Sequence, residues 1–192
     1  MAVGQSMVIA GLDTREEVNF DDIFETYNDR IYNCVYRLMG NAEDAYDLTQ
    51  ETFLRAYSAL PKVQGELKVG PWLYRIATNL CMDQLRRRKL IRWEPIENLL
   101  SVFHAKGVAK DSPEGETLRQ ESRETVHRVL EKLPPKYRTC LVLREYQDMS
   151  CEEIAEVLGT TRSAVKSLLF RAREEFRVVH ARLEGVSRGH DL

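Results

Sequence analysis

The 192 residues, 43% hydrophobic and 30% charged, suffice for one domain of ordinary size or two small ones, and disorder is not the expectation. A formal net charge of -2 excludes a general polyanion binder, and the lack of any run of 18 apolar residues excludes a membrane-spanning helix, so no membrane insertion is expected. Cys34, Cys81, Cys140 and Cys151 form no CxxC pair and the histidines no HxxxH, so the thiols are read as reduced in a cytoplasmic protein and no zinc site is expected.

Residues 1–17 read as a loose leader. They have no basic n-region, and their short apolar stretch is broken by Gly11, so a signal peptide is not expected. From Phe20, apolar residues step by three or four through Ile23, Phe24, Tyr27, Ile31, Cys34, Val35 and Leu38, which predicts an amphipathic helix ending at Gly40. Asn41 then caps a second helix, with Glu43 and Asp44 in its first turn and an end near Leu60. After the loop 61–70, Pro71 suits the first position of a third helix that runs to about Lys89.

Helical wheels give these elements two faces. In the second helix Ala45, Leu48, Thr49, Thr52 and Ala56 turn inward, while Asp44, Asp47, Gln50, Glu51 and Leu54 turn outward. An acidic face around an outward leucine is either a solvated surface or a protein-docking site in which burial gives affinity and charge gives register. In the third helix Leu73, Ile76, Ala77 and Leu80 turn inward. Arg75, Asn79, Arg86 and Lys89 gather opposite, with Trp72 and Tyr74 at the margins. Rings interleaved with cations suit single-stranded nucleic acid, where bases stack and cations hold phosphates. Equally, Trp72 is a core residue and the Arg86 to Lys89 run a solvated helix end.

Residues 94–116 carry Pro95, Gly107, Pro113 and Gly115 and read as a linker, although Ile96, Leu99, Leu100, Val102 and Phe103 are apolar enough to pack on something. Beyond it, Val126, Val129, Leu130 and Leu133 form a helix stopped by Pro134, and Pro135 opens the next. Ser150 and Glu153 then make a capping box for a short helix that buries Ile154, Ala155 and Leu158. Gly159 ends it, and Thr160 or Thr161 caps a last helix. Val165, Leu168, Leu169 and Ala172 lie on one side of that helix; Ser163, Lys166, Ser167, Phe170 and Arg171 lie on the other. A short helix, a glycine turn and a helix with a cationic outer face make a helix-turn-helix, whose second helix fits the major groove. A plain helical hairpin with solvated charges shares the pattern.

No strand alternation persists, so the fold class is all-α: two small helical domains, 18–93 and 117–184, joined by a flexible linker, with a tail at 185–192. No nucleophile–base pair, phosphate-cradling loop or metal cluster is present, so neither an enzyme nor a cofactor is expected.

Three segments together, AEDAYDLTQETFLRAY, GPWLYRIATNLCMDQLRRR and SCEEIAEVLG followed by AVKSLLFRARE, resemble bacterial RNA polymerase sigma factors of the extracytoplasmic-function group over roughly residues 18–180. The resemblance implies that the first domain is region two and the last region four. It implies that Asp44, Asp47, Gln50, Glu51 and Leu54 dock on core RNA polymerase. It places Trp72, Tyr74, Arg75, Asn79 and Arg86, with the loop 61–70, at the melted minus-ten element of promoter DNA. Ser163, Lys166, Ser167, Phe170 and Arg171 would read the minus-thirty-five element. An anti-sigma factor is the further partner it implies. Two departures stand out: Ser163-Ala164-Val165 where Gly-Thr-Val is frequent, and Leu168 at a commonly polar position. A stand-alone helix-turn-helix regulator and a helical adaptor that binds only proteins are the other classes the sequence admits.

Overall fold

Asn19 and Gly40 set the limits of the first helix. The Asn19 side chain accepts the Asp21 amide at 3.1 Å, and Gly40, at φ +84°, turns its amide back to the Tyr36 carbonyl at 2.9 Å. In this computed structural model, which describes residues 19–63, 67–91 and 115–187, the first three helices are α1 (Phe20–Met39), α2 (Ala42–Ala59) and α3 (Val69–Ile91). A single 3-10 turn, Leu60–Lys62, follows α2. The second half holds α4 (Gly115–Lys132), α5 (Pro135–Glu145), α6 (Cys151–Leu158) and α7 (Arg162–Ser187). Among the described residues there is no strand, and no helix is long and apolar enough to cross a membrane. The leader at 1–17, most of the linker at 94–116 and the end of the tail lie outside the described residues.

Local chemistry accounts for most boundaries. Asn41 caps α2 by accepting the Asp44 amide at 2.8 Å. α3 begins at Val69, two residues before the expected Pro71 start. Proline is tolerated there because amides in the first turn have no partner within the helix. Pro135 opens α5.

α1, α2 and α3 pack around Ile31, Cys34, Val35, Leu38, Phe53 and Leu73, with Ala45, Ala56 and Ala77 allowing close approach. α4 to α7 pack around Val129, Leu130, Ile154, Val157, Val165 and Leu169. The two sets merge into one apolar cluster, because α1 packs on α4 and α5 while α3 packs on α5 and α6.

Candidate docking and nucleic-acid interfaces

The helix-turn-helix is built by three local devices. The Ser150 hydroxyl accepts the Glu153 amide at 3.2 Å and the Glu153 carboxylate accepts the Ser150 amide at 2.8 Å, so two orphan amides of α6 are satisfied. Gly159 leaves α6 at φ +61°, a left-handed conformation that suits glycine. Thr161, of the two candidate threonines, caps α7 by accepting the Ala164 amide at 3.2 Å. Ile154, Ala155 and Val157 of α6 face Val165, Leu169 and Ala172 of α7 in the core. Leu168 is half-buried against the same core, which explains an apolar residue at that position.

The outer face of α7 stays open. Ser163, Lys166, Ser167, Phe170 and Arg171 are all exposed, Phe170 at 67%. Neighbouring cations are engaged locally: Arg162 pairs with Glu152 at 2.7 Å, Arg173 with Glu145 at 2.8 Å, and Arg177 with Glu174. Among the described residues Lys166 and Arg171 form no ion pair. Two free cations flank an exposed ring, in a row able to donate to guanine and pack on a thymine methyl.

The outer face of α2 is organised differently from the expectation. Asp47, Gln50 and Leu54 are exposed, Leu54 at 63%, and Glu51 is half-exposed and bonded to Arg55 at 2.7 Å. Asp44 departs from the expected outward face. It is half-buried, and its carboxylate takes hydrogen bonds from Asn41 and from Arg88 at the far end of α3. Arg88 is 44 residues away in the chain, so that tether could not be read locally. Tyr46 and Tyr57, 59% and 63% exposed, extend the face. They continue the row of Gln50 and Leu54 at helical spacing, a signal present in the sequence that the inward-outward sorting passed over.

α3 divides its expected residues. Arg75, Asn79 and Arg86 are exposed, and Arg86 pairs with Asp83 at 2.7 Å. Trp72 is half-buried against the core. Tyr74, expected at the margin, is 5% exposed and its hydroxyl donates to Gln147 in the loop after α5. Burial is the main cause that pushes its phenol well above the usual tyrosine range, with Cys34 adding to it. Tyr74 belongs to the contact between the two halves, and the wheel missed it because that contact lies outside the first domain. No cluster of His, Cys, Asp or Glu capable of holding a metal occurs among the described residues.

The sigma-70 region 2 family matches residues 23–91 and the sigma-70 region 4 family matches residues 123–176. The chain is 37% identical to the ECF RNA polymerase sigma factor SigW of Bacillus subtilis (strain 168) over 82% of this chain and 87% of that one. It is 36% identical to the RNA polymerase sigma-H factor of Pseudomonas aeruginosa over 81% and 82%. Its fold is similar to that of the sigma factor RpoE from Bartonella quintana in complex with the anti-sigma factor NepR, with a TM-score of 0.65 at 19% identity over 83% of this chain and 95% of that one. Two all-α halves carrying sigma regions two and four define the class as a sigma-70-type transcription initiation factor. The chain belongs to the ECF group of that family. Its function is to direct promoter-specific transcription initiation through core RNA polymerase and promoter DNA.

Proposed function

We propose a division of labour among named residues. Segment 18–93 acts as region two, 117–184 as region four and 94–116 as the linker between them, with a leader at 1–17 and a tail at 185–192. Asp47, Gln50 and Leu54 on α2, with Tyr46 and Tyr57 beside them, dock on core polymerase, and Asp44 and Glu51 hold that face in register. Arg75, Asn79 and Arg86 on α3 meet the minus-ten element, with Trp72 and Tyr74 supplying rings once α3 is uncovered. Ser163, Lys166, Ser167, Phe170 and Arg171 on α7 read the minus-thirty-five element. The protein works in the cytoplasm and has no catalytic chemistry of its own. An anti-sigma factor is its regulatory partner.

The observation that carries this reading is the open row on α7. Lys166, Phe170 and Arg171 are exposed while nearby arginines are ion-paired. A stand-alone regulator would share that row but has no use for the exposed leucine of α2. The test is a pull-down with core RNA polymerase using wild type and Asp47→Arg. Asp47 is exposed, so the charge reversal leaves the fold intact. Retention of wild type and loss of the variant is the expected result; equal retention of both refutes the docking assignment.

A further inference from the structure

Ile96, Leu99, Leu100 and Phe103 recur at i, i+3, i+4 and i+7, and residues 94–103 hold two acids, Glu94 and Glu97, with no lysine or arginine. That spacing is the one by which an amphipathic helix lays a single face into an apolar groove. The stretch itself lies outside the described residues, but the second half of the molecule carries a surface that fits it.

α4 and α5 each pack on α7. Between them opens a groove of about 490 Å³, within the range of about 300–1,000 Å³ of sites that bury most of a ligand. Its floor is made by Leu130 and Leu141, both buried, and its walls by half-buried Val126 and Phe176 and by Tyr146, 40% exposed. Arg173, Arg177 and Glu145 stand at the rim, two guanidiniums against one carboxylate. Arg173 pairs with Glu145 at 2.8 Å and Arg177 with Glu174 on its own helix. Both pairs are exposed, and exposed pairs are weak, so the guanidiniums exchange partners at little cost. An apolar floor with a net positive rim suits an apolar stripe flanked by acids.

The connectivity of the chain selects the occupant. The stretch leads into α4, which forms one wall of the groove. Val126 and Leu130 lie 11 and 15 positions beyond Gly115, or about 17 and 23 Å along the helix. Phe103 lies 12 positions before Gly115. A coil of that length has a root-mean-square span of about 17–21 Å and a limit of about 40–43 Å. Span and distance match, the condition under which a tethered group reaches its highest effective concentration, on the order of mM. A second copy of the chain at about 1 µM would need an affinity about a thousandfold higher to fill the groove as well.

We propose that the groove between α4, α5 and α7 is the docking site of the chain's own segment 94–103. Ile96, Leu99, Leu100 and Phe103 enter it, and Glu94 and Glu97 meet Arg173 and Arg177. Docking takes four apolar side chains out of water and covers Tyr146 and Phe176. Any other helix offered to this groove must displace the segment. The inference does not use the sigma-factor assignment, and core binding and promoter reading are measured separately from it.

The test is photo-crosslinking of the full chain at about 1 µM, where a tethered segment has the advantage over a free copy. Phe103 is replaced by p-benzoylphenylalanine, and adducts are mapped by mass spectrometry of the monomer band. The expected result is an intramolecular adduct on residues 126–146 or 173–177. With Leu99→Asp and Leu100→Asp together, its yield should fall about threefold or more at unchanged helical circular dichroism, because a buried carboxylate is costly. A charge swap covers the case in which that double variant fails to fold. Arg177 is exposed, so Arg177→Glu spares the core; it should lower the yield, and adding Glu97→Arg should restore it. Adducts without preference for the groove overturn the proposal. So does a groove adduct that both the folded double variant and Arg177→Glu leave unchanged. Adducts between two copies would make a second chain the occupant, and a groove adduct seen only after core RNA polymerase is added would tie docking to that partner; either result overturns docking in the free chain.

Discussion

Leu54→Ala isolates the docking face of α2 from the stability of the fold. Leu54 is 63% exposed, and fully burying a leucine side chain is worth about 1.5–3 kcal/mol. Covering the exposed share against polymerase is then worth about 1–2 kcal/mol, so its removal should weaken binding about 5- to 30-fold. The fold should lose almost nothing, because exposed substitutions usually stay within about 0.5 kcal/mol. The assay is fluorescence anisotropy of labelled sigma titrated with core RNA polymerase, alongside thermal melts of the free protein. Glu25→Ala, an exposed change on α1, serves as the control. A Kd for Leu54→Ala within twofold of the control, at an unchanged melting temperature, would refute the reasoning that this leucine is buried on docking.

Three further perturbations probe other links. Arg171→Ala should cost about 1–3 kcal/mol of promoter discrimination, read as loss of minus-thirty-five-dependent transcription at unchanged thermal stability; full activity on such promoters would remove Arg171 from the reading face. Ser150→Ala breaks the capping box of α6 and should cost about 1 kcal/mol, lowering Tm by about 2–4 °C when the packed chain melts as one unit; an unchanged melt would mean that the cap is energetically idle. Burial pushes the Cys34 thiol up to about 12 from 9.0. The folded state therefore holds a proton that the unfolded state releases between those values, and stability falls as pH rises above about 9. Urea midpoints at pH 8 and pH 10 should part more for wild type than for Cys34→Ala; equal separations would show that Cys34 ionises as easily in the folded chain.

Much of the helical framework was legible because its signals are local. Gly40 and Gly159 are read as stops because each adopts positive φ, and Asn41 and Ser150 as starts because the side chain of each accepts the amide three residues ahead. The sorting of α7 also holds: Val165, Leu169 and Ala172 are buried while Lys166, Phe170 and Arg171 are open. A wheel succeeds there because α7 presents this stretch to one neighbouring set of helices and to solvent. On α2 the same wheel places Asp47, Gln50 and Leu54 outward but cannot see Arg88 reach across from α3 to draw Asp44 in.

The sequence by itself determined the helices, their caps, the helix-turn-helix and the exposed rows, since each depends on residues within one or two turns. Only the tertiary structure decided which helix has two inner faces. α5 is buried from Arg138 to Leu143, and Tyr74 turns inward beneath the loop after it, because the second half packs onto the first. A periodicity of 3.6 residues marks which side of a helix is apolar. It carries no record of a second surface arriving from 100 residues away, as Leu38 does to Arg138.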